Sequence, residues 1–220
     1  MRHPAKYTDV LLPAFQQLIP IGSKVLDPFA GTGKIHLLPF ETVGIEIEPE
    51  WASLHKNTIC GDATNMPFTD NSFDVICTSP TYGNRMADHH NAKDASKRIT
   101  YTHVLGRKLH ENNSGQMHFG EKYKELHRKA YAECKRVLKK NGIFILNVKN
   151  FIKNGVEVDI HKWHCEALLD LGFSLMETRK VQVKGNGFGA NRDKRVNYEY
   201  VTKFILQEKT AINNLLDDNK

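Results

Sequence analysis

Apolar residues fall into short runs separated by stretches where they recur every three or four positions, the pattern of strands alternating with helices. "KVLDPF" (24–29) is a short strand that stops at "AGTG", and residues 34–38 follow as a short helix. "TVGIEIE" (42–48) is a strand ending in acid, and "PEWASLHK" (49–56) is a helix with proline at its first position. "TIC" (58–60) is a third short strand before "GDATNMPF", and "FDVICTSP" (73–80) a fourth. "YKELHRKAYAECKRVLKK" (123–140) carries helical spacing and ends at "NG", which reads as a helix stop. "IFILNVKN" (143–150) is apolar enough for a fully buried strand, and "DIHKWHCEALLDLG" (159–172) is a helix with glycine just past its end. "FSLMETRKVQV" (173–183) and "VNYEYVTKFIL" (196–206) are two further strands.

Each parallel crossover needs a helix, so this alternation predicts an α/β fold with a mostly parallel sheet covered on both faces. The last two strands are joined by "KGNGFGANRDKR" with no helix between them, which predicts an antiparallel hairpin at the sheet edge. Residues 81–119 break the pattern: they are rich in Asn, Gly, His and basic side chains and poor in periodicity. A loop of that length in a compact domain usually forms a lid or a binding surface. The expected organisation is a single domain over 1–208 with this insertion as a candidate target-recognition region, and a polar tail over 209–220.

The chain has 220 residues, 40% hydrophobic and 25% charged, in the range of soluble globular proteins. No apolar run approaches the ~18 residues of a membrane span, and the first residues show no apolar export signal. A cytoplasmic protein without membrane contact is expected. The four cysteines lack C-x-x-C spacing and sit in apolar patterns, so buried free thiols are expected. His89, His90, His103, His110 and His118 crowd one region without metal-ligand spacing, and no metal is expected. The formal net charge of +6 favours a polyanionic partner.

The strand ends carry the candidate chemistry. In "LDPFAGTG", Asp27 ends a strand and Gly31 and Gly33 form a tight turn opening a helix, where the backbone can approach a ligand closely. Glu46 or Glu48 in "GIEIE" is placed to bridge ribose hydroxyls, and Asp62 is a natural acceptor for an adenine amino group. "TSPTYGNR" then puts a proline-stiffened, aromatic-tipped turn at the end of the fourth strand. Taken singly, each of these has a plain structural reading as a strand end or a surface charge.

Together these stretches resemble the class I S-adenosylmethionine-dependent methyltransferases, and within them the DNA amino-methyltransferases. "DPFAGTG" is similar to their cofactor motif, "GIEIEPEW" to their ribose-binding strand and "TSPTY" to their Ser/Asn/Asp-Pro-Pro-Tyr/Phe catalytic motif. "HPAKYTDVLLPAF" is similar to the motif that precedes the glycines and helps hold the methionine part. The resemblance implies a Rossmann-like, seven-stranded sheet with a terminal antiparallel hairpin. It implies S-adenosyl-L-methionine as cofactor, held by His3, Pro4, Lys6, Tyr7, Asp27, Phe29, Gly31, Gly33, Glu46, Glu48, Asp62, Ala63 and Thr78. It makes Ser79, Pro80 and Tyr82 catalytic. Thr81 stands where the family's second proline would be, which predicts a less rigid placement of Tyr82.

In that chemistry, acceptors on Ser79 and the Pro80 carbonyl stabilise the charge growing on an exocyclic amino nitrogen, and Tyr82 stacks on a flipped base. Basic residues on two loops would contact the DNA: Arg85, Lys97, Arg98 and Arg107 in the insertion, and Lys184, Arg192, Lys194 and Arg195 at the hairpin. Serine at the first motif position resembles the N4-cytosine members more than the N6-adenine ones, and the expected protein is a solitary modification enzyme, monomer or homodimer. The rivals are an RNA base methyltransferase of the guanine-N2 type, a non-catalytic nucleic-acid-binding module that keeps the fold, and a protein glutamine methyltransferase. The last would carry Asn before two prolines.

Overall fold

The central strands bury residues on both faces, which is why they read as unbroken apolar runs rather than alternating ones. In β1 (Lys24–Asp27), Val25 packs to one side and Leu26 to the other; in β4 (Phe73–Thr78), Val75 and Cys77 oppose Phe73 and Ile76. β5 (Leu138–Val148) divides in the same way, with Ile145 against one core and Phe144, Leu146 and Val148 against the other. The computed structural model describes residues 8–83, 100–183 and 196–207. The expectations for His3, Pro4, Lys6, Tyr7, Arg85, Lys97, Arg98, Lys184, Arg192, Lys194, Arg195 and the 209–220 tail lie outside those residues.

The sheet adds β2 (Glu41–Glu46), β3 (Thr58–Cys60), β8 (Phe173–Gln182) and β9 (Tyr198–Leu206), in the order β3-β2-β1-β4-β5-β9-β8. β9 alone runs against its neighbours: it is antiparallel to both β5 and β8. The last strand is therefore inserted between β5 and β8, and β8 forms the sheet edge. The small hairpin of β6 (Phe151–Lys153) and β7 (Val156–Val158) was not expected. It turns at Asn154 and Gly155, both at positive φ, the conformation a tight two-residue hairpin requires.

One core lies under α4 (Glu121–Val137) and α5 (Ile160–Asp170), the other under α1 (Leu12–Leu18) and a 3-10 turn at Lys34–Leu37. α4 buries Tyr123, Leu126, His127, Ala130, Tyr131, Cys134 and Val137, the three- and four-residue spacing of one helix face. The expected stop at "NG" is corrected: α4 ends at Val137 and β5 begins at Leu138. Asn141, at φ 58, and Gly142 lie within β5, where the register against β4 shifts between Phe73 and Val75. A Cβ on Gly142 would lie 2.6 Å from Leu138 Cγ, so this turn accepts only glycine. Cys60 is also corrected: it is exposed on the edge strand β3, while Cys77, Cys134 and Cys165 are buried free thiols as expected.

α2 (Pro49–Ala52) is a single turn starting at its proline. The insertion is more ordered than its composition suggests. It holds α3 (Tyr101–Leu105), capped by the Thr100 side chain and closed by Gly106 at φ 69, and a 3-10 turn at Ser114–Gln116.

Candidate functional site

The carboxyl ends of β1, β2, β3 and β4 meet at one end of the sheet, where the chain leaves each strand for a turn. The glycine turn after β1 is fastened to β2: Ala30 N donates to Ile45 O at 2.9 Å, and a Cβ on Gly44 would lie 2.7 Å from Ala30 Cβ. Gly31 and Gly33 adopt φ of 55 and 77, which lets the backbone turn back towards the sheet. A cavity of about 250 Å³ opens over this turn. Of the expected cofactor residues, Phe29, Gly31, Glu46, Asp62 and Ala63 line it, and Ser79, Pro80, Thr81 and Tyr82 line the same cavity from the end of β4.

Asp27, Thr78, Gly33 and Glu48 do not line it and act from behind. Asp27 is fully buried; its Oδ1 accepts from Thr78 Oγ1 at 2.6 Å and from Phe29 N at 3.0 Å, while Oδ2 has no hydrogen-bond partner. Burial pushes its carboxyl up to about 6, against the two hydrogen bonds. A Cβ on Gly33 would lie 2.8 Å from the His36 ring, so this glycine serves packing and turn geometry.

The two candidate ribose acids divide their roles. Glu46 accepts from Gly31 N and from Glu48 N, both at 2.9 Å, and burial pushes it up to about 7. Glu48, 0% exposed, turns away into the insertion. Its Oε1 accepts from His110 N at 2.8 Å and Asn113 Nδ2 at 2.9 Å, and its Oε2 from Arg107 Nη2 at 2.7 Å. Arg107 also donates through Nε to Glu50 at 2.7 Å, so the structure engages this expected nucleic-acid contact as an internal clamp. Asp62 accepts from Thr64 through Oδ1 at 2.8 Å and from Asn112 Nδ2 through Oδ2 at 2.7 Å. Burial alone would raise this carboxyl, but the hydrogen bonds from Thr64 and Asn112 outweigh it and hold it low.

The Ser-Pro-Thr-Tyr turn is tied on both sides. Tyr82 donates its hydroxyl to Glu199 Oε2 at 3.1 Å, with Ser79 Oγ 3.5 Å from the same phenol oxygen. Burial, and then the Glu199 charge, push the phenol well above its usual range. Thr81 donates Oγ1 to Ser114 Oγ at 2.7 Å, and its carbonyl accepts from the Tyr123 hydroxyl. The Tyr123 oxygen lies 3.0 Å from His164 Nε2, and His164 Nδ1 lies 2.8 Å from the Tyr131 hydroxyl. One proton order satisfies this chain: Tyr131 donates to Nδ1, Nε2–H donates to Tyr123, and Tyr123 donates to Thr81. His164 is thus neutral, in agreement with burial holding its pKa well below the usual value. The looseness expected from losing the second proline is offset by the Thr81 hydroxyl bond to Ser114, which a proline could not make.

Several cavity-lining positions escaped the sequence reading. Tyr101, Asn112, Asn113 and Ser114 of the insertion roof the cavity, and Glu199 lines it from the start of β9. The insertion residues lacked any period to reveal them. Glu199 left a signal: an acid between two tyrosines at the start of a strand, where it is only 6% exposed. Among the described residues, no group of three or more His, Cys, Asp or Glu could hold a metal, and no helix is long and apolar enough to cross a membrane.

Residues 26–100 match the family model described as a methyltransferase domain. Solved structures agree along most of the chain. The PH0226 protein of Pyrococcus horikoshii is 18% identical, with a TM-score of 0.53, over 90% of this chain and 89% of its own. A SAM-dependent methyltransferase of Methanosarcina mazei is 13% identical, with a TM-score of 0.57, over 89% and 98%. The fold is that of a class I methyltransferase. The 1,6-didemethyltoxoflavin-N1-methyltransferase of Burkholderia thailandensis, solved with S-adenosylhomocysteine, is also similar: 14% identity and a TM-score of 0.50 over 90% of this chain and 76% of that one. No curated protein matches the sequence.

S-adenosylmethionine is the cofactor of this domain and fold, and the residues present fit it. Glu46 offers a carboxylate at the end of β2, and Gly31 brings backbone to the cavity wall. Asp27, whose Oδ2 has no hydrogen-bond partner, ends the strand that leads into the glycine turn.

Proposed function

We propose that this methyltransferase acts on the exocyclic amino nitrogen of a DNA base, cytosine N4 ahead of adenine N6. The observation that carries the reading is that Ser79, Pro80 and Tyr82 line the same cavity as Gly31 and Glu46. Glu46 would hold the ribose hydroxyls, Gly31 the backbone-facing side, Asp62 and Ala63 the adenine edge, and Phe29 an apolar wall. When bound, S-adenosylmethionine supplies an electrophilic methyl group.

The chain's own residues prepare the acceptor. An exocyclic amino nitrogen is a poor nucleophile because its lone pair is delocalised into the ring. The Ser79 hydroxyl and the Pro80 carbonyl accept from its hydrogens, which favours a pyramidal nitrogen and stabilises the positive charge growing on it. The Tyr82 ring stacks on the base, worth roughly 1–3 kcal/mol, which offsets part of the unstacking of a flipped nucleotide. Tyr101 and the Asn112–Ser114 segment line the same cavity.

The test is incubation with labelled S-adenosylmethionine and unmethylated DNA or RNA, followed by nucleoside mass spectrometry. Label in N4-methylcytosine or N6-methyladenine of DNA is the expected result, with the cytosine product dominant. Label confined to RNA, or cofactor binding without transfer to either, overturns the reading.

A further inference from the structure

Serine at the first motif position leaves the Ser-Pro-Thr-Tyr turn without a carboxylate of its own. Methylation of a neutral amino group leaves nitrogen with one positive charge and one proton too many, so a site of this type benefits from a nearby anion that can take the proton. The structure provides one from another part of the chain. Glu199, at the start of β9, lines the cavity, is buried, and among the described residues has the Tyr82 hydroxyl as its hydrogen-bond donor. Ser79 Oγ, Tyr82 Oη and Glu199 Oε2 follow one another at 3.5 and 3.1 Å, forming a line from the acceptor side of the cavity to a carboxylate.

We propose that Glu199 is the terminal proton acceptor of the reaction, reached through the hydroxyls of Ser79 and Tyr82. The inference rests on the amino-nitrogen reading above. The nitrogen–methyl bond would form as the methyl donor's carbon–sulfur bond breaks with its electron pair left on sulfur; one N–H bond then breaks and its electron pair stays on nitrogen. Ser79 Oγ takes the proton and passes its own to Tyr82 Oη, which passes its own to Glu199 Oε2. The nitrogen ends neutral, both hydroxyls end as they began, and Glu199 ends as a carboxylic acid that ionises to solvent when product leaves. Before transfer, the same negative charge orients both hydroxyl hydrogens away from the substrate and turns the Ser79 lone pairs towards the amino group. Glu199 thereby stabilises the developing charge as well as collecting the proton.

The groups facing Glu199 allow this role. Tyr82 approaches it from the β4 turn, and Tyr101 of α3 is the next ionisable group to act on that phenol. Its partner on β8 is Val181, which carries no charge. Lys180 lies over the rings of Tyr198 and Tyr200, side chains that alternate to the other sheet face, and Lys149 follows the end of β5. The cavity's other ionisable groups, Lys34, Glu46 and Asp62, belong to the turns after β1, β2 and β3.

The experiment compares wild type, Glu199→Gln, Glu199→Asp and Tyr82→Phe in single-turnover methyl transfer to unmethylated DNA as a function of pH. S-adenosylhomocysteine affinity is measured on each variant as a control for folding. The wild-type rate should fall as pH drops. Glu199→Gln should slow transfer on the order of 100-fold and lose that acid limb, with Glu199→Asp partly restoring both. Tyr82→Phe keeps the ring and removes the relay hydroxyl, so it should lose the same limb even if Glu199→Gln fails to fold. Wild-type transfer to DNA with an unchanged rate and pH profile in Glu199→Gln or Tyr82→Phe overturns the relay alone. Failure of the wild type to methylate DNA overturns the amino-nitrogen reading, and the relay with it.

Discussion

Glu46 and Asp27 are buried carboxylates, and each is held by backbone or hydroxyl donors too few to offset its burial. In the folded chain they keep their protons up to about 7 and about 6, whereas in the unfolded chain they lose them near 4.5 and 3.8. Between those limits the folded state binds more protons, so their contribution to stability declines as pH rises through the window. For Glu46 the decline amounts to about 3 kcal/mol. Buried histidines work in the opposite direction over part of the same range, so the test is a difference. In the cofactor-free protein, the unfolding free energy of Glu46→Gln minus that of wild type should be flat at acidic pH and rise by about 3 kcal/mol towards neutrality. Parallel curves would show that Glu46 is solvated. At this scale the sequence revealed a good deal: an acid after β2, an acid after β3 and glycines after β1 were legible because strand ends in this fold class are where ligands sit. It did not separate Glu46 from Glu48. Both carry the same chemistry, and the division between them depends on Arg107, Asn113 and the His110 backbone, all about sixty residues away in sequence.

Helices α4 and α5 do more than cover the sheet. Tyr123 from one and His164 from the other form a polar chain between them, and it ends on the Thr81 carbonyl of the Ser-Pro-Thr-Tyr turn. Tyr123→Phe removes the donor to Thr81 and the acceptor for His164 while keeping the ring in the core. It should lower stability by about 1–3 kcal/mol and reduce methyl transfer through kcat more than KM, because the turn is loosened and not the binding surface. Calorimetry and single-turnover kinetics on one preparation check both. The same helices predict acid sensitivity. Burial holds His127 down to about 4 and His164 well below its usual value. Below the unfolded value near 6.5, the unfolded chain binds more protons, so this contribution to stability is lost as pH falls. The buried stripe of α4 was legible because its period is local. Its link to the turn was not, since hydrogen bonds between positions 81, 123 and 164 leave no trace in local spacing. The "NG" pair was misread for a related reason: the same two residues that end helices also make the turn within β5.

Over the whole molecule, the order of strands and helices was legible from apolar periodicity, and the antiparallel pair at the end followed from the missing helix between its members. The insertion was not, because α3 is one turn and a half and the segment after it is held by side chains. Those side chains give the cavity its roof. Glu48 is buried beneath residues 107–113 and accepts from Arg107, His110 and Asn113, while Asn112 reaches across to Asp62. The insertion is thereby joined to the ends of β2 and β3, where the cofactor's ribose and adenine would lie. A positive charge in a basic loop suggested a phosphate contact for Arg107, but its two carboxylate partners give it a different task. The two roles lead to opposite results for Arg107→Ala. If it clamps the roof, S-adenosylhomocysteine should bind about tenfold more weakly, as Glu48 loses one of its charge-assisted donors, and the salt dependence of DNA binding should keep its slope. If it contacts phosphate, cofactor affinity should hold and the slope of log affinity against log salt should shrink by roughly 0.9. The geometry around Glu48 selects the first outcome, because a guanidinium released to a phosphate would leave a fully buried carboxylate short of its Arg107 partner.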